Sequence, residues 1–168
     1  MNYQDIVRKA QHSTFYLWLL NRMINHMVPF NKPHGLKITK ITESGVETIL
    51  PYKKANWNHI KGLHAASLAT ISEFTTGLFI LYKLDPTQYR LIMRNLSVDY
   101  LYQGKTSAKA SFHMSQDDFN ESIMLPVDTH GSVEINCEIN TYDALDNQLT
   151  SGVVTWQIKS WKKVKTKL

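Results

Sequence analysis

The chain has little of several residues that define specialised protein classes. A single cysteine, Cys137, among 168 residues excludes an internal disulfide framework and a cysteine-rich zinc site. Only 7 glycines and 5 prolines, beside 43% hydrophobic and 20% charged residues, exclude a collagen-like, low-complexity or broadly disordered chain. A chain of this length can bury one ordinary hydrophobic core. The composition therefore predicts a soluble globular domain.

The motifs of several enzyme classes are also absent. The sequence has no G-x-x-x-x-G-K phosphate loop, no G-x-G-x-x-G, no H-E-x-x-H and no G-x-S-x-G. This absence disfavours a phosphate-loop NTPase, a dinucleotide oxidoreductase, a zincin and a serine hydrolase with a nucleophile elbow. We expect no metal ion and no separate cofactor.

Positive charge is concentrated at the C-terminus. The chain has 19 lysines and arginines against 14 acidic residues, a formal net charge of +5. Residues 157–168 contain no acidic residue and five lysines: Lys159, Lys162, Lys163, Lys165 and Lys167. The rest of the chain is balanced, so we expect no nucleic-acid-binding face. The tail is either a solvated terminus or a weak contact for an acidic partner.

Two apolar segments fall short of targeting or membrane-spanning signals. The run at 15–20 is shorter than the apolar segment of a signal peptide, and no small-residue cleavage site follows it. Residues 62–82 carry one charge but mix their apolar residues with Ser, Thr and His, which is typical of a buried helix. We therefore expect a cytoplasmic protein without a membrane span.

The first half of the chain predicts helix, two strands and a long helix. Apolar residues near helical spacing predict a helix over residues 3 to about 28, which Pro29 and Pro33 close. Two strands are expected at 36–43 and 46–52, around a Ser44-Gly45 turn. A long apolar helix follows from about 63 to 84 and ends before Asp85-Pro86.

The second half alternates apolar and polar residues, as half-buried strands do. Four strands are predicted, at 96–102, 108–114, 133–140 and 154–159, with a short helical or irregular segment at 117–125. The fold class is therefore α+β, with an antiparallel sheet wrapped around one long central helix. We expect one domain overall, made of a helical extension at 1–33 and the sheet-and-helix unit at 34–168.

Glu73 is the unusual residue of the long helix. It is the only charged residue between Lys61 and Lys83 and lies among apolar neighbours. A carboxylate there is paired, exposed to a cavity, or has a raised pKa. Glu73 either points to solvent or to a donor of a neighbouring chain, or it is a catalytic carboxylate tuned by burial.

The loop before the long helix places amides and histidines where that helix begins. The free backbone N–H groups of a helix N-terminus suit a carbonyl oxygen that gathers negative charge. His64 is either part of such a site or a capping or core histidine. His64 and Glu73 are nine residues apart, about 900° of rotation and roughly 13.5 Å of rise on an α-helix, so they lie on opposite faces. If both serve one reaction, His64 of one subunit must face Glu73 of another.

The pattern Asn58-x5-His64-Ala65-Ala66-x6-Glu73-x3-Gly77, between two strands and four, resembles the hotdog-fold acyl-CoA thioesterases. It is most similar to the phenylacetyl-CoA and 4-hydroxybenzoyl-CoA type, and points to an uncharacterised branch. In that type an Asn or Gln, a His-Gly-Gly and an Asp or Glu recur with this spacing. The resemblance spans about residues 36–161.

The resemblance implies a role for each residue of the pattern. The Ala65 and Ala66 N–H groups would form the oxyanion hole, His64 would orient the thioester carbonyl, and Asn58 would hold water. Glu73 of the partner subunit would be general base or nucleophile in a homodimer or dimer of dimers. Coenzyme A would enter as part of the substrate, or an acyl carrier protein would replace it.

One departure keeps other functions open. Ala65-Ala66 stands where the family usually has Gly-Gly, and the two methyl groups would hinder close approach of a thioester. A hotdog domain that binds an acyl ligand or partner without catalysis is therefore the alternative to a thioesterase. A related hydratase or dehydratase is a third possibility, although its usual Asp/His signature is not evident. The N-terminal helix would cover an acyl tunnel, pack on the sheet or join the dimer interface.

Overall fold

A six-stranded antiparallel sheet wraps around one central helix, as the sequence predicts. The structure, a computed structural model, describes residues 3–164; Lys165 and Lys167 of the basic tail lie outside the described residues. Its helices and strands are, in chain order, α1 Tyr3–Ala10, α2 Thr14–Met27, β1 Lys37–Ile41, β2 Gly45–Leu50, α3 Ala65–Lys83, β3 Tyr89–Tyr100, β4 Ala108–His113, α4 Gln116–Phe119, α5 Leu125–His130, β5 Ser132–Tyr142 and β6 Gln148–Ser160.

The single N-terminal helix predicted over residues 3–28 is wrong, because the chain breaks it into α1 and α2. Ser13 is extended, with φ −143° and ψ 122°, and begins the second helix. The break lets both short helices bury an apolar face in the same core. The buried residues are Ile6, Val7 and Ala10 of α1, and Leu20 and Ile24 of α2.

The sheet has the strand order β1-β2-β4-β5-β6-β3, so β1 and β3 are its edges. Strands β3 and β6 begin earlier than predicted, at Tyr89 and Gln148. The early part of β6 does not alternate apolar and polar residues, because the polar Thr150 is buried there. Its hydroxyl shares a hydrogen bond of 2.7 Å with Thr141 of β5. The helical segment before β5 is also longer than predicted and includes a π-helical turn at Asn120–Met124.

Helix α3 is the centre of the core. Its buried small polar residues satisfy their hydroxyl groups locally, since Ser72, Thr75 and Thr76 each donate to a carbonyl four residues earlier. Thr75 also shares a hydrogen bond of 2.6 Å with Thr48 of β2. Within residues 3–164, α3 is the one helix long and apolar enough to cross a membrane. Of its apolar 18-residue stretch, 67% is buried inside the fold. This is the buried helix that the sequence predicts.

Gly77 lets the sheet approach α3 closely. A Cβ atom at Gly77 would lie 2.6 Å from Cζ2 and 2.8 Å from Cη2 of Trp156 on β6. The indole cannot easily move, because its Nε1 donates a hydrogen bond of 2.9 Å to Thr76 and its ring is buried. Gly77 is therefore required by packing in this structure.

We expect Gly77→Ala to lower the free energy of unfolding by about 1 kcal/mol. Overpacking a core costs about 1–3 kcal/mol, which exceeds the gain of about 1 kcal/mol from replacing a helical glycine by alanine. Urea denaturation of a double-mutant cycle with Trp156→Phe tests the cause. In the Trp156→Phe background, which lacks the two clashing atoms, Gly77→Ala should stabilise the protein; destabilisation there would contradict this account.

Candidate functional site

Glu73 lies on the face of α3 that the two N-terminal helices cover. Its side chain lines a cavity of about 210 Å³ between these helices and the sheet. The surroundings are mainly apolar and include Phe74, Leu78 and Trp156. The middle of α3 thus places a half-buried carboxylate at the wall of an apolar cavity.

The Glu73 carboxylate has no partner among residues 3–164. No hydrogen bond or ion pair joins it to another described side chain or backbone group. Burial raises the pKa of Glu73 above its usual value, because the apolar surroundings disfavour the charged form. A carboxylate of this kind takes up a proton more readily than an exposed one, which suits a general base.

His64 caps the N-terminus of α3. It has extended backbone angles, φ −70° and ψ 140°, and its Nδ1 accepts a hydrogen bond of 3.0 Å from the Ala66 N–H. His64 thus caps the helix in this structure, and its role toward a thioester carbonyl stays a prediction. The cap occupies the Ala66 N–H, one of the two predicted oxyanion donors. The Ala65 N–H, at the first helical position, has no partner in the described part of the chain.

Asn58 organises the loop that leads into α3. Its Oδ1 accepts hydrogen bonds from the backbone N–H groups of Ile60, at 3.1 Å, and Gly62, at 2.9 Å. Asn58 also lines an open cleft of about 400 Å³ together with Ala65 and Tyr100. Because Oδ1 is engaged by the loop, the side-chain NH₂ group is what Asn58 offers to a ligand or water.

Within one chain, the predicted site residues lie in two separate places. Asn58 and Ala65 share the cleft at the start of α3, where Tyr100 at the end of β3 donates a hydrogen bond of 3.1 Å to the Ala65 carbonyl. Glu73 lines the cavity under α1 and α2, which shares no lining residue with this cleft. The fold therefore does not bring Glu73 together with the helix N-terminus of its own chain.

Asn31 is a further residue of the Glu73 cavity that sequence reasoning missed. It follows α2 in a short helical turn, Pro29–Asn31, and only 3% of its surface is exposed. Its Oδ1 is buried and accepts no hydrogen bond from any described residue. The sequence offers no signal for it, because an asparagine in a Pro-rich turn is ordinarily a surface residue.

No group of three or more His, Cys, Asp or Glu residues able to hold a metal ion occurs between residues 3 and 164.

Comparison with known proteins places the chain in one family and one fold. The family described as a domain of unknown function, DUF4442, matches residues 17–161. No curated protein matches the chain.

Solved structures share this architecture at low sequence identity. A protein of Pseudomonas aeruginosa described as a probable thioesterase is similar with a TM-score of 0.78 and 17% identity, over 85% of this chain and 95% of that one. A thioesterase of Haemophilus influenzae gives a TM-score of 0.68 and 12% identity, over 94% and 99%. A Chlorobaculum tepidum protein of unknown function gives 0.75 and 12%, over 90% and 98%. These similarities establish the hotdog fold that the resemblance implied.

Glu73→Gln should change the pH dependence of stability. Because the pKa of Glu73 is raised on folding, the folded protein keeps a proton that the unfolded chain has lost, so this group's contribution to stability falls as pH rises from about 4 through the folded pKa. The glutamine variant lacks the buried charge and should melt higher than wild type at pH 8, with the difference vanishing near pH 4. Thermal melts across this range measure the effect.

Glu121→Gln is the matched control, because Glu121 is an exposed glutamate on a helical segment. It should follow wild type at every pH. If Glu73→Gln follows Glu121→Gln instead, the Glu73 carboxylate is not desolvated.

Proposed function

The chain belongs to the DUF4442 family, and we propose that it hydrolyses acyl thioesters of coenzyme A or of an acyl carrier protein at a site shared by two copies of the chain. The observation that carries the proposal is Glu73, an unpartnered carboxylate with a raised pKa at the wall of an apolar cavity. A desolvated charge destabilises a fold, and acid–base chemistry gives a physical reason to keep one. The shared fold of thioesterases from other organisms supports the same reaction class.

The chemistry follows from the two groups of residues. The Glu73 carboxylate accepts a proton from water while the water oxygen bonds to the thioester carbonyl carbon. The Ala65 N–H at the N-terminus of α3 donates to the carbonyl oxygen as it becomes negative. Collapse of the tetrahedral intermediate breaks the carbon–sulfur bond, and the thiolate takes up the proton. The resemblance to phenylacetyl-CoA thioesterases makes arylacyl groups one part of the substrate range to test.

Pairing of the edge strand β3 between two chains would bring the Ala65 N–H of one chain near the Glu73 carboxylate of the other. Strand β3 is twelve residues long, pairs only with β6 among the described strands, and exposes Ile92 and Met93. A long edge strand with exposed apolar side chains invites pairing with another chain. Two copies related by a two-fold axis would pair β3 with β3 in antiparallel orientation.

That pairing brings opposite ends of β3 together. Tyr100, at the end of the strand, contacts the Ala65 carbonyl, whereas Leu91, near its start, lines the Glu73 cavity. Antiparallel pairing about the strand centre sets the Tyr100 end of one chain beside the Leu91 end of the other. The Ala65 N–H of one subunit therefore approaches Glu73 of its partner, as the spacing on α3 requires.

Complementation between two inactive variants tests the shared site. We expect a dimer of about twice the chain mass of 19.4 kDa. Glu73→Gln removes the base. His64→Ser keeps a capping hydroxyl but removes the imidazole to which the resemblance assigns the thioester carbonyl. Each variant should therefore lose turnover. Unfolding and refolding a 1:1 mixture should restore about a quarter of wild-type activity, since half the dimers then hold one intact site of two. A mixture as inactive as its components, or a monomer by analytical ultracentrifugation, would contradict the shared site.

A non-catalytic acyl-binding protein is the second candidate, and two contacts favour it. The Ala66 N–H is bonded to His64, and Asn58 Oδ1 is bonded to its own loop. Both leave fewer groups free for a transition state than the resemblance implies.

Release of free thiol from short, medium, long and aromatic acyl-CoAs separates the two candidates. The hydrolase should release thiol from at least one of them, and Glu73→Gln should reduce kcat by about a hundredfold or more, as loss of a general base typically does. Glu121→Gln should retain full activity. If no substrate is turned over, or if Glu73→Gln is as active as wild type, the hydrolase proposal is wrong.

A further inference from the structure

The outer side of α2 presents two aromatic side chains to solvent. Phe15 is 61% exposed and Trp18 is 57% exposed. Their rings are stacked with centroids 6.1 Å apart, so they form one patch rather than two scattered side chains. Single exposed apolar residues are ordinary on a protein surface, whereas a contiguous patch marks a contact with another body.

Contacts on the inner side of α2 fix which residues point outward. Leu20 is fully buried in the core. The Asn21 side chain accepts from the Ile38 N–H at 2.7 Å and donates to the Ile38 carbonyl at 3.0 Å, which ties α2 to the edge strand β1. At about 100° per residue, Phe15 lies about 140° and Trp18 about 160° around the helix from Leu20. The two rings therefore face away from the core because the helix cannot rotate.

Positive charge continues along the same side of α2. Arg22 lies one turn after Trp18, and its guanidinium carbon is 5.9 Å from the centre of the Trp18 ring. Beyond it is an open cleft of about 370 Å³, none of whose described lining residues is acidic: Arg22, Asn25, His26, Pro29 and Lys32. Within residues 3–164, the ion pairs involve neither Arg22 nor Lys32. We call Phe15, Trp18, Arg22 and Lys32 the outer stripe.

The sequence keeps acidic residues away from this part of the chain. Residues 6–42 contain no aspartate or glutamate but six lysines and arginines: Arg8, Lys9, Arg22, Lys32, Lys37 and Lys40. Residues 43–156 have the opposite balance, with 13 acidic residues against 8 basic ones. Positive potential is thus concentrated where the aromatic rings are exposed. It attracts an anionic partner and opposes pairing of two copies through this face.

The outer stripe combines the two features that bind a helix to an anionic lipid surface. Exposed aromatic rings enter the boundary between headgroups and acyl chains, and lysine or arginine side chains bind the lipid phosphates. Phe15 and Arg22 are about 10 Å apart along the axis of one straight helix, so rings and charge meet a flat surface together. An acidic protein would satisfy the charges, but the rings favour a partner with an apolar layer beneath its charge.

We propose that the outer stripe docks this protein on the surface of an anionic phospholipid membrane. Phe15 and Trp18 enter the boundary between headgroups and acyl chains, and Arg22 and Lys32 bind lipid phosphates, with α2 parallel to the surface. This contact goes beyond the proposed hydrolysis and does not depend on it. The outer stripe shares no residue with the Glu73 cavity or with the cleft at the start of α3.

Co-sedimentation of the full chain with vesicles measures the contact. The protein should bind phosphatidylcholine vesicles that contain about one third phosphatidylglycerol, bind pure phosphatidylcholine far more weakly, and be released by salt. Trp18→Ser should weaken binding about tenfold, because a ring no longer leaves water. The double variant Arg22→Gln/Lys32→Gln should weaken binding about 25-fold, at about fivefold for each cation.

Matched control variants change the same residue types elsewhere. Leu145 is 76% exposed between β5 and β6, and Lys105 and Lys109 are also exposed. Leu145→Ser and Lys105→Gln/Lys109→Gln should bind vesicles as wild type does. All the substituted side chains are exposed, so melting temperatures should stay close to that of wild type. If wild type does not bind anionic vesicles, or if the outer-stripe variants bind as tightly as these controls, the proposal is wrong.

Lipids with brominated acyl chains test how deeply the ring enters. At saturating lipid they should quench part of the tryptophan fluorescence of wild type. Trp18→Phe keeps an aromatic ring, so it should still bind but lose most of this quenching. Equal quenching in the two proteins would contradict insertion of Trp18.

Other partners of the outer stripe give different results. Soluble polyglutamate is an anion without an apolar layer. If it binds as tightly as the vesicles and Trp18→Ser does not weaken vesicle binding, the stripe fits an acidic protein and the membrane proposal is wrong. The proposal is also wrong if wild type forms assemblies larger than a dimer in ultracentrifugation that Trp18→Ser dissolves, without vesicle binding. Vesicle binding without thiol release from any acyl-CoA would support docking and refute hydrolysis, and thiol release without vesicle binding would do the reverse.

Discussion

The structure depends on one constraint: a nineteen-residue helix is buried inside a curled sheet, so every polar group on it needs a partner or a cavity. The hydroxyls of Ser72, Thr75 and Thr76 meet this constraint by bonding to carbonyls of the helix itself. Gly77 supports the same constraint indirectly. Its missing side chain lets the Trp156 ring approach the helix, where the indole N–H donates to Thr76. Glu73 is the exception, since its carboxylate has no such partner in the described part of the chain.

The rigidity of the same helix shapes the candidate site. The N–H groups at its N-terminus and the Glu73 carboxylate in its middle belong to one proposed site. His64, at that N-terminus, and Glu73 lie on opposite faces of the helix, roughly 13.5 Å apart along its axis. A straight helix cannot bend to join them, so chemistry that uses both requires a second chain. The edge strand β3 runs past both places, with Tyr100 at one and Leu91 at the other. In the proposed dimer, a two-fold axis across β3 would bring the two places together.

The two N-terminal helices show where local patterns fail. Apolar spacing continues from α1 into α2, so the sequence pattern does not reveal the break at Ser13, which follows from packing both faces into one core. The start of β6 was missed for a related reason. Thr150 faces inward and is satisfied by Thr141, so a polar residue occupies a buried position and breaks the alternation. Both errors arise where a tertiary contact overrides a local preference.

By itself the sequence determined the six strands, the central helix between the second and third of them, and the isolation of Glu73 on that helix, because hydrophobic period and charge spacing are local properties. The cap by His64 was among the alternatives that residue type and position allowed. Only the tertiary structure decided that Glu73 faces a cavity roofed by α1 and α2, and that Asn31 shares that cavity. These residues are 42 positions apart in the sequence. No local period encodes such a contact, since it arises when separate elements pack around one core.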